Sequence, residues 1–595
     1  MASIETPVLI VGGGGFGLAT SMFLSNLGVP SLLIERHASP SPMPKARYLN
    51  QRTMEIFRQQ GLAAAIYERS IPLKYMSTTR WCTSLGGDGP HDRKVLYEMD
   101  VFGGGSLEAH YRANSPCEST IYPQVRLEPL MRERAESMGV GKLMFNCSLL
   151  GLEQDTSGVT ARVESRDTGE IHTVRARYLV AADGGKTVGA MVGAKLEGTP
   201  ELMDMVTVYF RADLSRYLDN DDSFAYWMAN PDGGDTGSWS TGVLGKLGPT
   251  KFDRHSEEWM FHFSFASDDP ARFEEASLVP RMRALMKIPD LDPQVLAIGH
   301  WIVQGVLADR YRFGNVFLGG DAAHRHTPTT GLGLNSAIQD AHNLAWKLAM
   351  VVQGKASDAL LDTYESERRP AAERNVNWAL FTFSNHQLTG AAIGLFPGNA
   401  ERSRTNFEAL LADTPDGESR RYRFREVMKL HNTEYQANDL EIGVQYEHGA
   451  LVHDGSVLPQ RDPTGRHYVP STRPGNRLPH AWVESNGQKI STHDLVPCDG
   501  FVIITGQADS VWEVAARQAA KQFGIRIDVV SIADNSGVKD SKHEWRRIRE
   551  FGDDGAILVR PDQIIAWRAM RAQKEATQTL ESVLRSVLRQ TKDNA

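Results

Sequence analysis

Cysteine is scarce in this chain: four residues in 595, Cys82, Cys117, Cys147 and Cys498, with no C-x-x-C pair and no zinc-ligand spacing. That excludes a disulfide framework and dithiol redox chemistry, and a reducing compartment is the simplest reading. Lys/Arg runs are also absent, and a net charge of −8 makes nucleic acid a poor match as the main partner. Long apolar runs are missing too. The N-terminal apolar segment carries Glu5 with no basic flank, and glycines, Ser21, Ser25 and Asn26 break it. The later stretch Trp378 to Phe396 contains Asn385, His386, Gln387 and Gly390. Neither reads as a signal peptide or a membrane span, so the expectation is a cytoplasmic protein. No internal repeat is present either. What remains, 41% hydrophobic and 23% charged, suits about three or four globular domains at this length.

Glycine, by contrast, is concentrated where it carries chemistry. In Pro7–Arg36, PVLIVGGGGFGLATSMFLSNLGVPSLLIER, Val8 to Val11 form a buried-strand signal, followed by Gly12, Gly14 and Gly17 at the G-x-G-x-x-G spacing. Leu18 to Leu27 is helical in pattern, Gly28 ends it, and Ser31 to Ile34 make a second strand closed by Glu35. Gly12 permits the tight turn, Gly14 the approach of a pyrophosphate, and Gly17 the packing of helix on strand. The helix start offers free N–H groups to phosphate, and Glu35 can accept hydrogen bonds from a ribose. This predicts a dinucleotide site without saying which dinucleotide.

Past Glu35, prolines mark a loop, and Gln51 to Gln60 turns helical. Lys45, Arg47 and Arg52 place three cations nearby, read either as a solvated loop or as a cationic wall beside an anionic cofactor or substrate. Residues 70–120 are Gly-rich and irregular. Ile121 to Met138 reads as strand, turn and helix, and strand-like runs follow at Lys142 to Leu152, at Thr160 to Glu164 and in RYLVAADGG. From 203 to 303 the alternation MVTVYFRAD, FAYWMAN, SWSTGVLG, WMFHFSFA predicts an antiparallel, aromatic-rich sheet inserted into an α/β domain. NVFLGGDAAH restores the α/β pattern and leads into a helix to about Val352. Amphipathic helices run from Asp358 to about Asn432, with a break around Pro397. A Gly/Pro/Arg/Asp-rich stretch from 449 marks a boundary before a strand–helix tail.

Three further motifs join the first: Gln124 with Leu127-Glu128 and Leu130; Asp183-Gly184-Gly185; and GGDAAHRHTPTTGLGLNSAIQDAHNLAWKL. In the last, a buried strand ends on Asp321, and Gly331, Gly333 and Asn335 open a helix whose N-terminus can stabilise negative charge. With NQRTMEI (Asn50 to Ile56), this set resembles the class A flavoprotein aromatic hydroxylases of the para-hydroxybenzoate hydroxylase fold. The resemblance is closest to the phenol hydroxylase and 2,4-dichlorophenol 6-monooxygenase type and covers nearly the whole length. It implies a Rossmann-type α/β FAD-binding domain over 1–200 and 304–352 (70–120 partly on the substrate side). It also implies a substrate-binding sheet over 203–303, a helical region over 353–448 and a thioredoxin-like C-terminal domain over 449–595.

Under that resemblance Gly12, Gly14, Gly15, Phe16, Gly17, Glu35 and Arg36 hold the ADP half of FAD, Leu149 meets adenine, and Lys45, Arg47 and Gln124 lie on the flavin side. Asp183 belongs to a motif shared by FAD and NAD(P)H, with Lys186 where the family usually continues towards an Arg. Asp321 meets the ribityl chain, and Gly331, Leu332, Gly333, Leu334 and Asn335 meet the flavin pyrimidine edge. The implied reaction uses NAD(P)H, with NADPH favoured, and O2, and passes oxygen from a C4a-hydroperoxyflavin to a phenolic ring. Arg47 is the first candidate for the active-site cation, Pro328 lies over the substrate side of the ring, and Tyr226 is a second substrate-facing candidate. His324 reads as loop packing, and His326 as a further pocket-lining candidate. One of Trp227, Trp239 and Trp259 is a candidate to face the substrate. The expected partners are an aromatic small molecule and O2, with a homodimer as the assembly. The alternative on the same fold is a Baeyer–Villiger or epoxidising oxygenase tailoring a polyketide or indole scaffold.

Overall fold

The computed structural model describes residues 3–590 apart from 232–237, 266–268, 270, 272, 273, 397 and 509. The expected helix break at Pro397 lies outside the described residues. β1 (Ser3–Val11) is a central parallel strand, flanked by β2 (Ser31–Glu35) and β3 (Ile171–Ala181), with β4 (Val316–Leu318) beyond β3. Val8 to Val11 are buried, as a strand covered on both sides requires. α1 (Gly15–Asn26) connects β1 to β2 and packs between α3 (Gln124–Met138) and α4 (Leu332–Val352). α2 (Gln51–Gln59) packs on the other side of α4 from the loop after β2, and α5 (Asp362–Ile393) crosses the start of α4. The single run expected over Lys142 to Leu152 is two strands. Lys142–Phe145 extends the parallel sheet, and Cys147–Asp155 turns into a hairpin, because Asn146 takes a left-handed φ of 59° between them.

The second sheet runs His324–Arg325, Gln294–Ala308, Leu196–Arg211, Glu258–Ser264, Val243–Gly248, Ser223–Met228, Thr78–Cys82, Val95–Asp100. It is antiparallel except where Thr78–Cys82 lies parallel to Ser223–Met228. Two expectations need correcting. The 70–120 region is not all irregular, since it supplies the last two strands of the sheet. SWSTGVLG begins as a short helix, Ser238–Thr241, and only Val243–Gly248 pairs. Period-two alternation splits the sheet into two faces. Met205, Ala225, Trp227, Val243 and Val303 pack inward with Tyr48, Phe102, Phe383 and Tyr435. Val206, Val208, Phe210, Tyr226, Leu244, Trp259, Phe261 and Phe263 pack outward against the helix Glu275–Met286.

The C-terminal unit has a four-stranded sheet in the order Ile527–Ser531, Phe501–Thr505, Ala556–Val559, Ile565–Ala569, whose first pair is parallel and the rest antiparallel. The helices Val511–Phe523 and Ala576–Val587 pack together beside it. This is a thioredoxin-like arrangement without the dithiol, since all four cysteines of the chain are free thiols. Among the described residues no helix is long and apolar enough to cross a membrane.

Candidate active site

At Gly12, φ is +114° and a Cβ would lie 2.2 Å from the Ala182 carbonyl oxygen; at Gly17 it would lie 2.0 Å from the Gly12 oxygen. Only glycine allows both. α1 has Gly14 as N-cap and no side-chain cap, so its first N–H groups remain available to a pyrophosphate. Glu35 Oε2 accepts from the Gly13 N–H at 2.7 Å, and Oε1 accepts from the His37 N–H at 2.9 Å. Burial pushes the Glu35 carboxyl up, but the Gly13 and His37 N–H groups and the His37 ring outweigh it, leaving the carboxylate lowered and ionised. The Phe16 ring is a wedge, with a Gly319 Cβ position only 2.1 Å from it, so Phe16 offers a cofactor its N–H and not its ring. Arg36 is exposed and Leu149 half-buried.

The second helix start faces the first. α4 begins after Thr330 and Gly331, both left-handed at φ 60° and 65°, and it too lacks a side-chain cap. A Gly15 Cβ would lie 2.6 Å from Leu334 Cδ1, so the two uncapped N-termini are neighbours. Asn335 Nδ2 donates to the Tyr48 carbonyl at 3.0 Å and to the Gly331 carbonyl at 2.6 Å, and its Oδ1 accepts from the Asn50 N–H at 3.0 Å. That ties the start of α4 to the loop carrying Arg47. Leu332 is buried and Gly333 half-buried in that first turn. Asp321 is exposed at the end of β4, and its backbone carbonyl accepts from Arg325 Nε at 3.1 Å. Pro328 is exposed at the turn before α4. Two positively polarised helix ends, two acids (Glu35 and Asp321) and glycine approaches at each turn fit an extended FAD.

Asp183 sits differently. Its carboxylate accepts from the N–H groups of Gly185 (3.0 Å), Thr187 (2.7 Å) and Val188 (2.9 Å), so it holds its own turn. The Gln124 N–H donates to the Ala46 carbonyl at 2.8 Å, and its amide Nε2 donates to Glu128 Oε1 at 2.5 Å. His324 Nε2 lies 2.6 Å from Asp340 Oδ2, whose Oδ1 accepts from Arg368 Nε at 2.8 Å, so His324 braces the loop. His326 has both ring nitrogens buried without a partner, and burial drives its pKa well down.

The three cations of the expected wall go to three addresses. Lys45 is exposed; Arg52 is buried against the C-terminal unit, where NH1 donates to Gln563 Oε1 at 2.6 Å; Arg47 is buried against the second sheet. Arg47 NH1 donates to the Phe224 carbonyl at 3.1 Å and the Lys246 carbonyl at 3.3 Å, and its guanidinium lies 3.9 Å from the Phe224 ring centre. Burial pulls its pKa down to about 9, which leaves it charged at neutral pH. Tyr226 is a correction. Its side chain packs in the outward core and its hydroxyl donates to Asn220 Oδ1 at 2.6 Å, because an odd–even slip along the strand separates it from the inward-facing Ala225 and Trp227. Of the three tryptophans, Trp227 and Trp239 lie on the inward side and Trp259 on the outward side. The sequence alone does not single out Thr207, Phe224, His262, Trp301, Tyr435 and Glu441; strand parity puts Thr207 and His262 on the inward face, and only the folded register sets them opposite each other.

Two outcomes follow from this packing. A Cβ on Gly245 would lie 2.7 Å from the Arg47 guanidinium, the flexible end of a side chain. Gly245→Ala is therefore expected to fold and hold flavin while displacing Arg47, lowering kcat/KM about 10- to 100-fold, the worth of a charged hydrogen bond. Undiminished turnover in steady-state assays would remove Arg47 from the site. Glu441 Oε1 accepts from the Tyr48 hydroxyl at 2.6 Å, Oε2 has no partner, and burial pushes the carboxyl up to about 8. A folded-state pKa above the unfolded value means that the contribution to stability is complete below about 4.5 and is lost as pH rises through about 8. Glu441→Gln should thus gain stability relative to the parent between pH 5 and 8, on the order of 3 kcal/mol at the upper end. Paired melting curves at the two pH values test this, and a constant difference contradicts it.

The chain is similar to known proteins over nearly its whole length. Residues 5–379 match the family described as FAD binding domain, and residues 471–590 match that described as aromatic-ring hydroxylase, C-terminal. The 2,4-dichlorophenol 6-monooxygenase of Delftia acidovorans is 34% identical over 598 residues, covering 98% of each chain. The phenol 2-monooxygenase of Pseudomonas sp. (strain EST1001) is 33% identical over 98% of this chain and 92% of its own. The crystal structure of the flavin-dependent monooxygenase PieE in complex with FAD and substrate superposes with a TM-score of 0.92 at 35% identity, over 99% of this chain and all of that one.

Proposed function

We propose that this chain, which belongs to the family of FAD-binding aromatic-ring hydroxylases, inserts one oxygen atom of O2 into a phenolic ring, with NAD(P)H as reductant. The observation that carries the reading is one juxtaposition: the uncapped start of α4, expected at the flavin ring, is hydrogen-bonded through Asn335 to the loop that buries Arg47 against an aromatic sheet face. FAD, once bound and reduced, supplies the electrophilic oxygen; the chain supplies placement, charge and dryness. Glu35 would hold the adenosine ribose and Asp321 the ribityl hydroxyls. The start of α4 would favour negative charge on the ring, and Arg47 would hold the substrate oxygen in its more nucleophilic, deprotonated form. Pro328 would border the substrate side.

A panel of phenols and bicyclic aromatics, assayed for NADPH consumption coupled to a mass gain of one oxygen, tests this. Catechol formation from simple phenols is the expected result. Lactone or epoxide products without catechols would instead favour the Baeyer–Villiger or epoxidising reading. The homodimer is part of the proposal, and a solution mass near that of a single 65.9 kDa chain would remove it.

A further inference from the structure

The inward face of the substrate sheet carries a polar group that stands apart from its apolar neighbours. Thr207 and His262 are directly opposed on adjacent antiparallel strands, and Thr207 Oγ1 lies 2.6 Å from His262 Nδ1. Trp301 Nε1, a donor only, gives its hydrogen to the same Thr207 oxygen at 2.9 Å. The Thr207 hydroxyl hydrogen has no other acceptor among the described residues. Donating it to Nδ1 therefore uses every group, and this leaves the imidazole proton on Nε2. Nε2 has no partner among the described residues, and the residue is only half-buried.

The loop carrying Arg47 packs against this part of the sheet. Two strand positions beside this group are glycines. A Cβ on Gly299 would meet Met43 Cε at 2.8 Å and one on Gly245 would meet Arg47, so the loop 43–47 lies directly on the sheet at its rim. Arg47 is the charged group acting on His262; burial first, then that positive charge, holds the imidazole neutral, down to about 3. A neutral imidazole beside a guanidinium is a second hydrogen-bond donor that adds no second cation.

We propose that His262 Nε2–H and the Arg47 guanidinium together grip one substrate oxygen, so that the site selects phenols or enols bound as the anion, with Thr207 and Trp301 as positioning residues that fix the donor tautomer. The proposal deepens the hydroxylase reading and rests on it. No bond is made or broken by His262; it stabilises the oxyanion, and the substrate's proton leaves to solvent.

The test uses the FAD-loaded enzyme and 4-nitrophenol, whose ionised form absorbs visible light, titrated at several pH values in the absence of NADPH. His262→Phe is expected to raise the apparent pKa of bound 4-nitrophenol by about one unit, a tenfold change in ionisation. His262→Gln, whose amide can donate, should recover part of that shift. Thr207→Val should raise it by less than His262→Phe does, because only the tautomer is released. Flavin content and circular dichroism establish that each variant is folded. If His262→Phe binds 4-nitrophenol with the parent's ionisation, or if His262→Gln behaves as His262→Phe does, the proposal is overturned. Should the parent enzyme hydroxylate no phenol in the separate turnover panel while the ionisation shift still appears, the hydroxylase reading fails and the oxyanion grip stands.

Discussion

Asp321→Ala is expected to purify as folded but mostly colourless protein. Asp321 contributes little to the fold. Its carboxylate is exposed, and no side-chain hydrogen bond or ion pair joins it to the described residues; only its backbone carbonyl is engaged, by Arg325. Deleting the carboxylate should therefore leave the melting transition of the apoprotein within about 0.5 kcal/mol of the parent, as for an ordinary surface change. The flavin loses much more. A carboxylate accepting from two ribityl hydroxyls supplies two charged hydrogen bonds of about 1.5–3 kcal/mol each, so FAD affinity should fall roughly 10²- to 10⁴-fold. Absorbance of the purified protein and a fluorescence titration with FAD read this directly, and full flavin content in the variant would sink the assignment. Asp183→Ala is the instructive contrast. Its carboxylate is occupied by three backbone N–H groups of its own turn, so the loss should show first in local stability.

The contrast between those two acids marks the limit of what the linear chain discloses. The β1–α1–β2 unit was legible because every step in it is local: a strand, three glycines at fixed spacing, a helix and a closing acid, all within thirty residues. The helix from Leu332 was legible for the same reason. The strands Thr78–Cys82 and Val95–Asp100 were not, since Thr78–Cys82 is completed by the distant Ser223–Met228, Val95–Asp100 joins the sheet through Thr78–Cys82, and both carry little alternation of their own. Site residues divide in the same way. Arg47 and Arg52 are five residues apart and look alike in sequence, yet helix α2 begins between them, so one meets the second sheet and the other the C-terminal unit. Tyr226 was read as a substrate-facing candidate, but alternation sends it outward. His262 was missed because its role needs Thr207, Trp301 and Arg47, three residues that only the folded sheet brings together.

Arg477→Met should be strongly destabilising, and it bears on what the C-terminal unit is for. Arg477 reaches Glu55 on α2 through two bonds, Nε to Oε2 at 2.9 Å and NH2 to Oε1 at 2.5 Å, with both side chains fully buried. Burial alone would push the Glu55 carboxyl up; Arg477, then His493 and Arg52, hold it far below the usual carboxylate range. Removing Arg477 leaves the buried Glu55 carboxylate partly stranded, with Arg52 NH1 at 3.1 Å and the Ser115 hydroxyl at 2.6 Å as its remaining hydrogen-bond partners, which costs about 3 kcal/mol, the lower end for breaking a buried ion pair. The damage should not stay local. α2 is bonded to the C-terminal unit along its length, by Arg52 to the Asp562 carbonyl at 2.9 Å, by Gln59 to the Pro561 carbonyl at 2.8 Å and by Arg58 to Asp494 at 2.7 Å. Its N-cap, Asn50, is bonded to Asn335 at the start of α4. The C-terminal unit therefore acts as a brace on the helix that follows Arg47, a role that requires no thiol. Arg477→Met is expected to lower the melting temperature and to speed hydrogen exchange across residues 51–59 before any loss of secondary structure elsewhere. The double variant Glu55→Gln/Arg477→Met should recover part of the stability, because the under-paired carboxylate is gone, while Arg52 loses its carboxylate partner but keeps Gln563 Oε1 and the Asp562 carbonyl. If the double variant is no more stable than Arg477→Met, the loss comes from packing around Arg477 rather than from the stranded charge, and the ionic part of the brace must be given up.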